Sequence, residues 1–177
     1  RRLIADEPVA VILPDDVIAA ETPCLEQMVD AYAETGGCMV ATMRVPADRI
    51  SAYGVLDVAE DHGRLVKARG MVEKPKENPP SDLAVIGRYI LTPDVFQTLN
   101  AGKRGAGGEI QLTDAIAAEI EAGRQVWGYR FAGRRYDCGS KAGFLKATVA
   151  FGLERPDLAE EFSAFLEETV ALRRAAE

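Results

Sequence analysis

Short apolar runs along the chain alternate with segments whose apolar residues recur every three or four positions. The first run, residues 9–13, is continuous and ends at Pro14, which predicts a strand buried on both faces, as in a parallel sheet. Further strands are predicted at residues 38–45, 53–58, 65–72, 83–91 and 125–131. The second and third of these five form a hairpin if Asp61, His62 and Gly63 make the turn.

Helices are predicted where apolar residues fall on one face between capping signals. Thr22 and Pro23 begin the first helix and Gly36 ends it. The same pattern predicts helices at residues 92–99, 110–123 and, after Ser140, 141–151, and a last amphipathic helix at about 156–175. Strands alternating with helices indicate an α/β protein with a mixed central sheet.

Composition and charge restrict the classes of function. The 177 residues are 47% hydrophobic, enough for one domain with a core, and the net charge of −7 without a basic block excludes nucleic acid as a partner. The longest apolar runs are far shorter than a bilayer span and the amino terminus is unlike a signal peptide, so we expect no membrane partner and a cytoplasmic location. Three scattered cysteines without CxxC spacing indicate neither a disulfide framework nor a zinc site.

Two adjacent carboxylates, Asp15 and Asp16, follow Pro14 directly after the first predicted strand. Ligands of open α/β sheets bind beyond the carboxyl ends of the strands, where these two side chains emerge. Two oxygen donors suit Mg²⁺, and Mg²⁺ in turn suits a substrate that carries phosphate. A strand followed by an ordinary polar turn remains the alternative for this segment.

An acid and a base, Glu73 and Lys74, end another predicted strand just before Pro75. A carboxylate accepts hydrogen bonds from two neighbouring sugar hydroxyls, and an ammonium group binds phosphate as a compact charge. Side chains of successive strand residues point to opposite faces, but at the end of the strand both can turn toward one cleft. Solvated loop charges are the alternative.

Gly54 and Asp137 are the remaining candidates. A glycine that opens a strand allows a ligand to approach the backbone closely, although a bulge or tight bend explains Gly54 equally well. Asp137 stands before the helix that Ser140 caps, so it is either a structural residue at the start of that helix or a metal ligand opposite Asp15, with Lys141 facing a phosphate.

Three other features carry less weight. The glycine-rich segment 102–108 lacks the GK[ST] ending of a phosphate-binding loop, so we interpret it as a flexible connection. His62, the only histidine, lies in a predicted turn at the surface, which argues against histidine-based hydrolysis. Cys138 has no partner base in the sequence pattern, so we do not expect it to be a nucleophile.

The order of these motifs resembles that of the bacterial UTP–glucose-1-phosphate uridylyltransferases, also called UDP-glucose pyrophosphorylases. The motifs are LPDD, AYGV, VEKPK, AVIGRYIL, GAGGEIQLTDAI and YDCGSKAGF, and the similarity extends from about residue 6 to residue 162. The resemblance implies a Rossmann-like nucleotidyltransferase fold with a mixed central sheet. It also implies a homo-oligomer that transfers a uridylyl group from UTP to glucose 1-phosphate and releases pyrophosphate.

The resemblance further implies roles for individual residues at two parts of a site. Asp15 and Asp137 are expected to hold Mg²⁺, with Asp16 supporting them, and Lys74 to bind phosphate. The attacking phosphate oxygen is already ionised, so the reaction needs no general base, and Mg²⁺ and Lys74 offset the repulsion between the two anionic substrates.

The other implied roles concern the sugar. The residues expected there are Gly54, whose backbone N–H donates to the sugar, Glu73, which accepts from the glucose hydroxyls, Gly87, which lines the pocket, and Glu109 and Gln111, which lie near it.

One departure from the family pattern matters. These enzymes begin with a glycine-rich GxGTRxLPxTK segment that cradles the triphosphate; the 177 residues do not contain it, and the chain starts at Arg1 without Met. We therefore expect the C-terminal portion of a single nucleotidyltransferase domain, with its first strands missing, some core surface uncovered and little or no turnover by itself.

Two other functions stay open. One is another sugar-1-phosphate nucleotidyltransferase, such as a thymidylyltransferase, and the other is a non-catalytic homologue that binds sugar nucleotides. The intact set of Asp15, Glu73, Lys74 and Asp137 favours a catalyst, because a protein released from catalysis need not keep both metal-binding acids and the lysine.

Overall fold

The structure, a computed structural model, describes residues 6–101 and 110–176. These residues form two compact units. The first contains the chain up to Pro14 and Ala20–Gly133, and the second contains Asp15–Ala19 and the chain from Arg134 onward. The predicted flexible connection at 102–108 and the candidate Glu109 lie outside the described residues.

Most strands and helices begin and end near the predicted positions. The strands are β1 Val9–Ile12, β2 Asp16–Ala19, β3 Cys38–Arg44, β4 Gly54–His62, β5 Leu65–Glu73, β6 Leu83–Leu91, β7 Val126–Arg130 and β8 Arg134–Asp137. The α-helices are α1 Cys24–Thr35, α2 Pro93–Asn100, α3 Leu112–Glu121, α4 Lys141–Leu153 and α5 Ala159–Ala175, and a short 3₁₀ helix covers Ile50–Ala52.

The first unit is built on a six-stranded mixed sheet with the order β1-β6-β3-β7-β5-β4. Among the described strands of this sheet, β3 and β7 pair in parallel and the other neighbours pair antiparallel. The predicted hairpin is confirmed, because β4 and β5 pair along their whole length from Gly54↔Glu73 to His62↔Leu65. The mixed central sheet expected from the sequence is therefore present.

The strand predicted at residues 9–13 is present as β1, but its predicted environment is wrong. β1 pairs antiparallel with β6 and lies at the edge of the described sheet, and the Ile12 side chain is 53% exposed. A continuous apolar run shows that a segment is hydrophobic, but it carries no information about the direction or the number of its neighbours. The run was therefore correctly assigned to a strand and wrongly assigned to parallel, two-sided burial.

The core of the first unit lies between the sheet and two helices. Leu56, Val66 and Leu83 of the sheet pack with Val95 of α2 and Ile116 of α3, and all five are almost fully buried. Each such side chain contributes about 1.5–3 kcal/mol through removal of apolar surface from water. This core holds β4, β5 and α3 together; Gly54 and Glu73 lie on β4 and β5, and Gln111 directly precedes α3.

The second unit is smaller and contains two strands that the sequence did not predict. β2 and β8, each of four residues, pair antiparallel with the register Asp16↔Asp137 to Ala19↔Arg134. Tyr136 of β8 is buried, with its ring centroid 5.9 Å from that of Phe151 on α4. By contrast, α5 has no buried residue, and it begins at Ala159 rather than at Pro156.

No described helix combines the length and the apolar character needed to cross a membrane.

Candidate active site

The acids after β1 and at the end of β8 come together in the second unit. The backbone N–H of Cys138 donates to the carbonyl of Asp15 at 2.7 Å, which extends the pairing of β2 with β8. A Cβ atom built on Gly139 would lie 3.2 Å from Asp15 Oδ2 and 3.2 Å from Asp137 Oδ1. The two carboxylates, far apart in sequence, therefore lie beside the same point, which is open because residue 139 is glycine.

Asp15 and Asp16 have different environments although they are neighbours in the chain. Asp16 is buried and forms an ion pair with Arg135 of β8, which lies across the two-stranded sheet. Asp15 is exposed. A cation in solution therefore has access to Asp15, whereas the carboxylate of Asp16 is engaged in structural support, as a buried charge requires.

Hydrogen bonds at the start of α4 hold Asp137 in place. Its Oδ1 accepts from the Gly139 N–H at 3.1 Å, and its carbonyl accepts from the backbone N–H and the hydroxyl of Ser140 at 3.3 and 3.1 Å. The Ser140 hydroxyl oxygen also accepts from the Gly143 N–H at 3.0 Å, which confirms the predicted helix cap. Lys141 is the first residue of α4 and is exposed.

The donors in this unit fit a magnesium ion held partly by water and substrate. In the part of the chain that the structure describes, no group of three or more His, Cys, Asp or Glu side chains is arranged to hold a metal ion. Mg²⁺ does not require such a cage, because it keeps several waters and is bound through one or two carboxylates together with substrate phosphates. Two carboxylates beside an open position satisfy that requirement.

Gly54 and Glu73 lie opposite each other in the hairpin of the first unit. A Cβ atom on Gly54 would lie 3.1 Å from Glu73 Oε2, closer than an ordinary van der Waals contact. Glycine at position 54 thus leaves room for the carboxylate, whose side chain is 15% exposed. The alternative of a bulge at Gly54 is wrong, because the irregularities of β4 lie between Asp57 and Glu60.

Lys74 follows Glu73 in an uncommon backbone conformation. Its φ of 46° falls in the left-handed region, which few residues other than glycine adopt, and the following Pro75 restricts it further. Its N–H donates to the Tyr53 carbonyl at 3.0 Å, and its Nζ lies 3.5 Å from Glu73 Oε1 with the side chain 63% exposed. The acid and the base therefore turn to the same side, and strained backbone of this kind is frequent at functional sites.

Thr113 joins Glu73 and was not identified from the sequence. Its hydroxyl donates to Glu73 Oε2 at 2.6 Å from the first turn of α3. The motif EIQLTDAI pointed to this segment, but from it the sequence singled out Glu109 and Gln111. Gln111 is the N-cap residue of α3, and its carbonyl accepts from the Ala115 N–H at 3.2 Å.

Gly87 lies within β6, away from the ends of that strand. It is buried, and its carbonyl accepts from the Leu13 N–H and from Arg88 Nη1, each at 2.9 Å. The bond from Leu13 continues the β1–β6 pairing, and the expected role of Gly87 at the sugar stays a prediction.

The remaining reactive side chains have ordinary structural environments. Burial raises the pKa of the Cys38 thiol and raises the pKa of Cys24 to about 11, with Arg88 opposing the shift at Cys24, so both thiols stay protonated at neutral pH. His62 is exposed as expected, at the end of β4, and its ring lies beside Glu60. An apolar groove of about 400 Å³ between α4 and α5 contains none of the site candidates.

Residues 1–152 match the nucleotidyl transferase family. The chain belongs to this family. It is 41% identical over 169 residues to a UTP–glucose-1-phosphate uridylyltransferase of Staphylococcus epidermidis, an alignment that covers 95% of this chain and 58% of the relative. The resemblance drawn from the motifs is thereby confirmed, and the chain spans less than two thirds of the length of that relative.

Solved structures of nucleotidyl transferases agree with the fold. A crystal structure of UDP-glucose pyrophosphorylase complexed with UDP-glucose matches with a TM-score of 0.81 and 41% identity, over 87% of this chain and 59% of that protein. A UTP-bound UGPase from Acinetobacter baumannii matches with a TM-score of 0.83 and 35% identity, over 94% of this chain and 58% of that protein. The nucleotidyltransferase fold expected from the sequence is confirmed.

Proposed function

We propose that the complete gene product is a UTP–glucose-1-phosphate uridylyltransferase, which makes UDP-glucose and pyrophosphate from UTP and glucose 1-phosphate. The observation that carries the proposal is the meeting of Asp15 and Asp137 beside Gly139, because an acidic pair at an open position suits a nucleotide substrate that carries a divalent cation. The relatives named above supply the identity of the nucleotide and the sugar.

Asp15 and Asp137 are the residues that would hold Mg²⁺. When bound, the ion supplies positive charge that offsets the repulsion between two phosphate-bearing substrates and stabilises charge on the transferring group. Asp137 is suited to this role because hydrogen bonds from Gly139 and Ser140 fix its position before the ion arrives. Lys141, exposed at the start of the same helix, is the proposed ligand of a phosphate.

Glu73, Gly54 and Lys74 bind and orient the sugar phosphate. The Glu73 carboxylate accepts from sugar hydroxyls, the Gly54 backbone approaches the sugar closely, and the exposed Lys74 ammonium group binds phosphate. Holding both substrates in reacting geometry lowers the barrier by up to roughly 7–11 kcal/mol in ideal cases. Gly87, Gln111 and Glu109, the last of which lies outside the described residues, are further proposed contacts of the sugar.

The proposed reaction needs no proton abstraction. A phosphate oxygen of glucose 1-phosphate attacks the α-phosphorus of UTP, the bond from that phosphorus to the bridging oxygen breaks, and pyrophosphate leaves with its electron pair. Because the attacking oxygen is ionised at neutral pH, orientation and charge stabilisation supply the catalysis.

Product analysis with a panel of substrates tests the proposal. The complete gene product is supplied with Mg²⁺, glucose 1-phosphate and either UTP or dTTP, and pyrophosphate and sugar nucleotide are measured. We expect the highest kcat/KM with UTP. A higher kcat/KM with dTTP would replace the proposal with a thymidylyltransferase, and tight binding of UDP-glucose without turnover would indicate a non-catalytic homologue.

The same assay compares the 177-residue chain with the complete gene product. We expect little or no turnover from the 177 residues, because they contain no GxGTRxLPxTK segment to hold the triphosphate. Robust pyrophosphate release from these residues alone would show that the triphosphate is bound by other means.

A further inference from the structure

The Glu73 carboxylate has a different partner at each of its two oxygens. Oε2 accepts the Thr113 hydroxyl at 2.6 Å, and Oε1 lies 3.5 Å from Lys74 Nζ. A hydroxyl that donates to a carboxylate at this distance makes a strong, charge-assisted hydrogen bond. The partner at Oε2 comes from α3, whereas the partner at Oε1 is the next residue after Glu73, so only the bond from Thr113 ties the carboxylate to a separate element.

Thr113 is itself held rigidly. It is the second residue of α3, a helix anchored in the core through Ala115 and Ile116, and a β-branched side chain has few rotamers available in a helix. Glu73, by contrast, has a long side chain at the end of a strand. The rigid hydroxyl therefore selects one orientation of the flexible carboxylate.

The neighbouring backbone leaves space at this hydrogen bond. A Cβ atom on Gly54 would lie 3.1 Å from Glu73 Oε2 and 3.4 Å from Thr113 Oγ1. Without the Thr113 hydroxyl, Oε2 would lose its donor and the carboxylate would be free to turn toward the Lys74 ammonium group. Such a rotation would engage the Glu73 oxygens with the Lys74 ammonium group, and these are the oxygens that accept from the sugar hydroxyls.

We propose that Thr113 is a positioning residue, which holds the Glu73 carboxylate so that it accepts from the hydroxyls of the sugar phosphate. The inference rests on the proposed function. It assigns to α3 a part in sugar recognition through Glu73, and it separates this role from nucleotide binding.

Kinetics of three variants of the complete gene product test the role. We expect Thr113→Val to raise the KM for glucose 1-phosphate about tenfold while the KM for UTP stays within about twofold, because a lost hydrogen bond to a charged group has this size. Thr113→Ser keeps the hydroxyl and should stay within about threefold of the unmodified protein.

The matched control is Thr98→Val. Thr98 donates to Glu119 Oε1 at 2.7 Å, which is the same kind of bond between a threonine and a buried glutamate, but it links α2 to α3 instead of contacting Glu73. We expect Thr98→Val to leave both KM values unchanged. An equal rise of the glucose 1-phosphate KM in Thr98→Val and Thr113→Val would overturn the proposal in favour of a general effect on α3.

A double-mutant cycle and a crystal structure complete the test. In a Glu73→Ala background, Thr113→Val should add no more than about a twofold effect, because the two side chains act as one unit. A crystal structure of the Thr113→Val variant should show the Glu73 carboxylate turned from its present position; an unchanged carboxylate would overturn the inference. If the unmodified protein shows no turnover, the proposed function fails, and this structure still decides whether Thr113 orients the Glu73 carboxylate.

Discussion

The two units place their candidate residues by different physical means. In the first unit, Gly54 and Glu73 are paired in a hairpin of two nine-residue strands, whose inner side chains belong to a large buried core. In the second unit, Asp15 and Asp137 are placed by two four-residue strands and by the hydrogen bonds of a helix cap, and α5 buries no residue. Core packing therefore fixes the strands that carry Gly54 and Glu73, with the Thr113 hydroxyl bonded to the Glu73 carboxylate, whereas the acidic pair depends mainly on hydrogen bonds of a short strand pair and a helix cap.

The largest expected effect comes from removing one charge of the acidic pair. Asp137→Asn keeps an oxygen that accepts from the Gly139 N–H, so the turn should be preserved while the carboxylate charge is lost. We expect kcat of the complete gene product to fall about a hundred- to a thousandfold at saturating Mg²⁺, because electrostatic stabilisation of the transferring phosphate is worth several kcal/mol.

Asp157→Asn is the control for this variant. Asp157 is an exposed acid of the same unit that pairs with Arg155, so its substitution should leave kcat unchanged. An Asp137→Asn variant with unchanged kcat and unchanged Mg²⁺ dependence would show that the acidic pair has no part in catalysis.

The next effect concerns the turn that holds Asp137. A Cβ atom on Gly143 would lie 1.8 Å from the Asp137 carbonyl oxygen, so Gly143→Ala must displace the backbone. We expect a loss of about 3 kcal/mol in unfolding free energy, measured by chemical denaturation. In Gly152→Ala, also on α4, the new atom meets the movable ring of Phe162 at 2.8 Å, and a loss below about 1 kcal/mol is expected. Equal losses of unfolding free energy in the two variants would contradict the importance of the turn at Asp137 for stability.

Substitution of a glycine in the first unit tests how strongly the stability of that unit depends on core packing. A Cβ atom on Gly128 of β7 would lie 2.6 Å from Leu56 Cδ2 and 2.7 Å from Val66 Cγ2, both in the core. We expect Gly128→Ala to lower the unfolding free energy by about 2 kcal/mol, the typical effect of overpacking. For Gly70→Ala in β5 the contact is an ordinary 3.6 Å to Asp57 Cβ, so little change is expected, and a larger loss there would contradict the packing argument.

The smallest effect is expected at a surface ion pair of the first unit. Hydrogen bonds from the Arg130 guanidinium and the Gly63 N–H lower the pKa of Asp61 to about 2. A lowered pKa means that the pair stabilises the fold fully above the usual value of 3.8, and that this stabilisation is lost as the pH falls through about 2. Asp61→Asn should lower the melting temperature slightly at neutral pH, and the difference should vanish toward pH 2. A side-chain titration of Asp61 near its usual value, followed by NMR, would contradict this.

Elements with a local signal could be predicted from the sequence. The nine residues of β6 were predicted with their observed bounds, and the β4–β5 hairpin and the Ser140 cap were also correct. These features depend on runs of apolar residues or on adjacent turn residues, which a linear pattern contains. Asp15, Asp16 and the Glu73–Lys74 pair could be named in the same way, because they stand at the ends of predicted strands, and Asp137 because it precedes the predicted Ser140 cap.

Features that depend on pairing between distant segments could not be predicted. β2 and β8 are short, and the residues of β8, RRYD, show no apolar run. Each of these strands is therefore stabilised by its pairing with the other. The edge position of β1 and the bond from Thr113 to Glu73 likewise require knowledge of which segments meet. A pattern within one segment cannot supply that knowledge.

The sequence by itself determined the family, the main strands and helices, and the residue types that suit a phosphate-bearing sugar substrate, because these depend on local order along the chain. Only the tertiary structure decided that Asp15 and Asp137 lie beside one glycine, that Asp16 is engaged by Arg135, and that Thr113 donates to Glu73. The reason is that hydrogen bonds and ion pairs of this kind join residues tens of positions apart, and their geometry arises when the sheets pair and the helices pack.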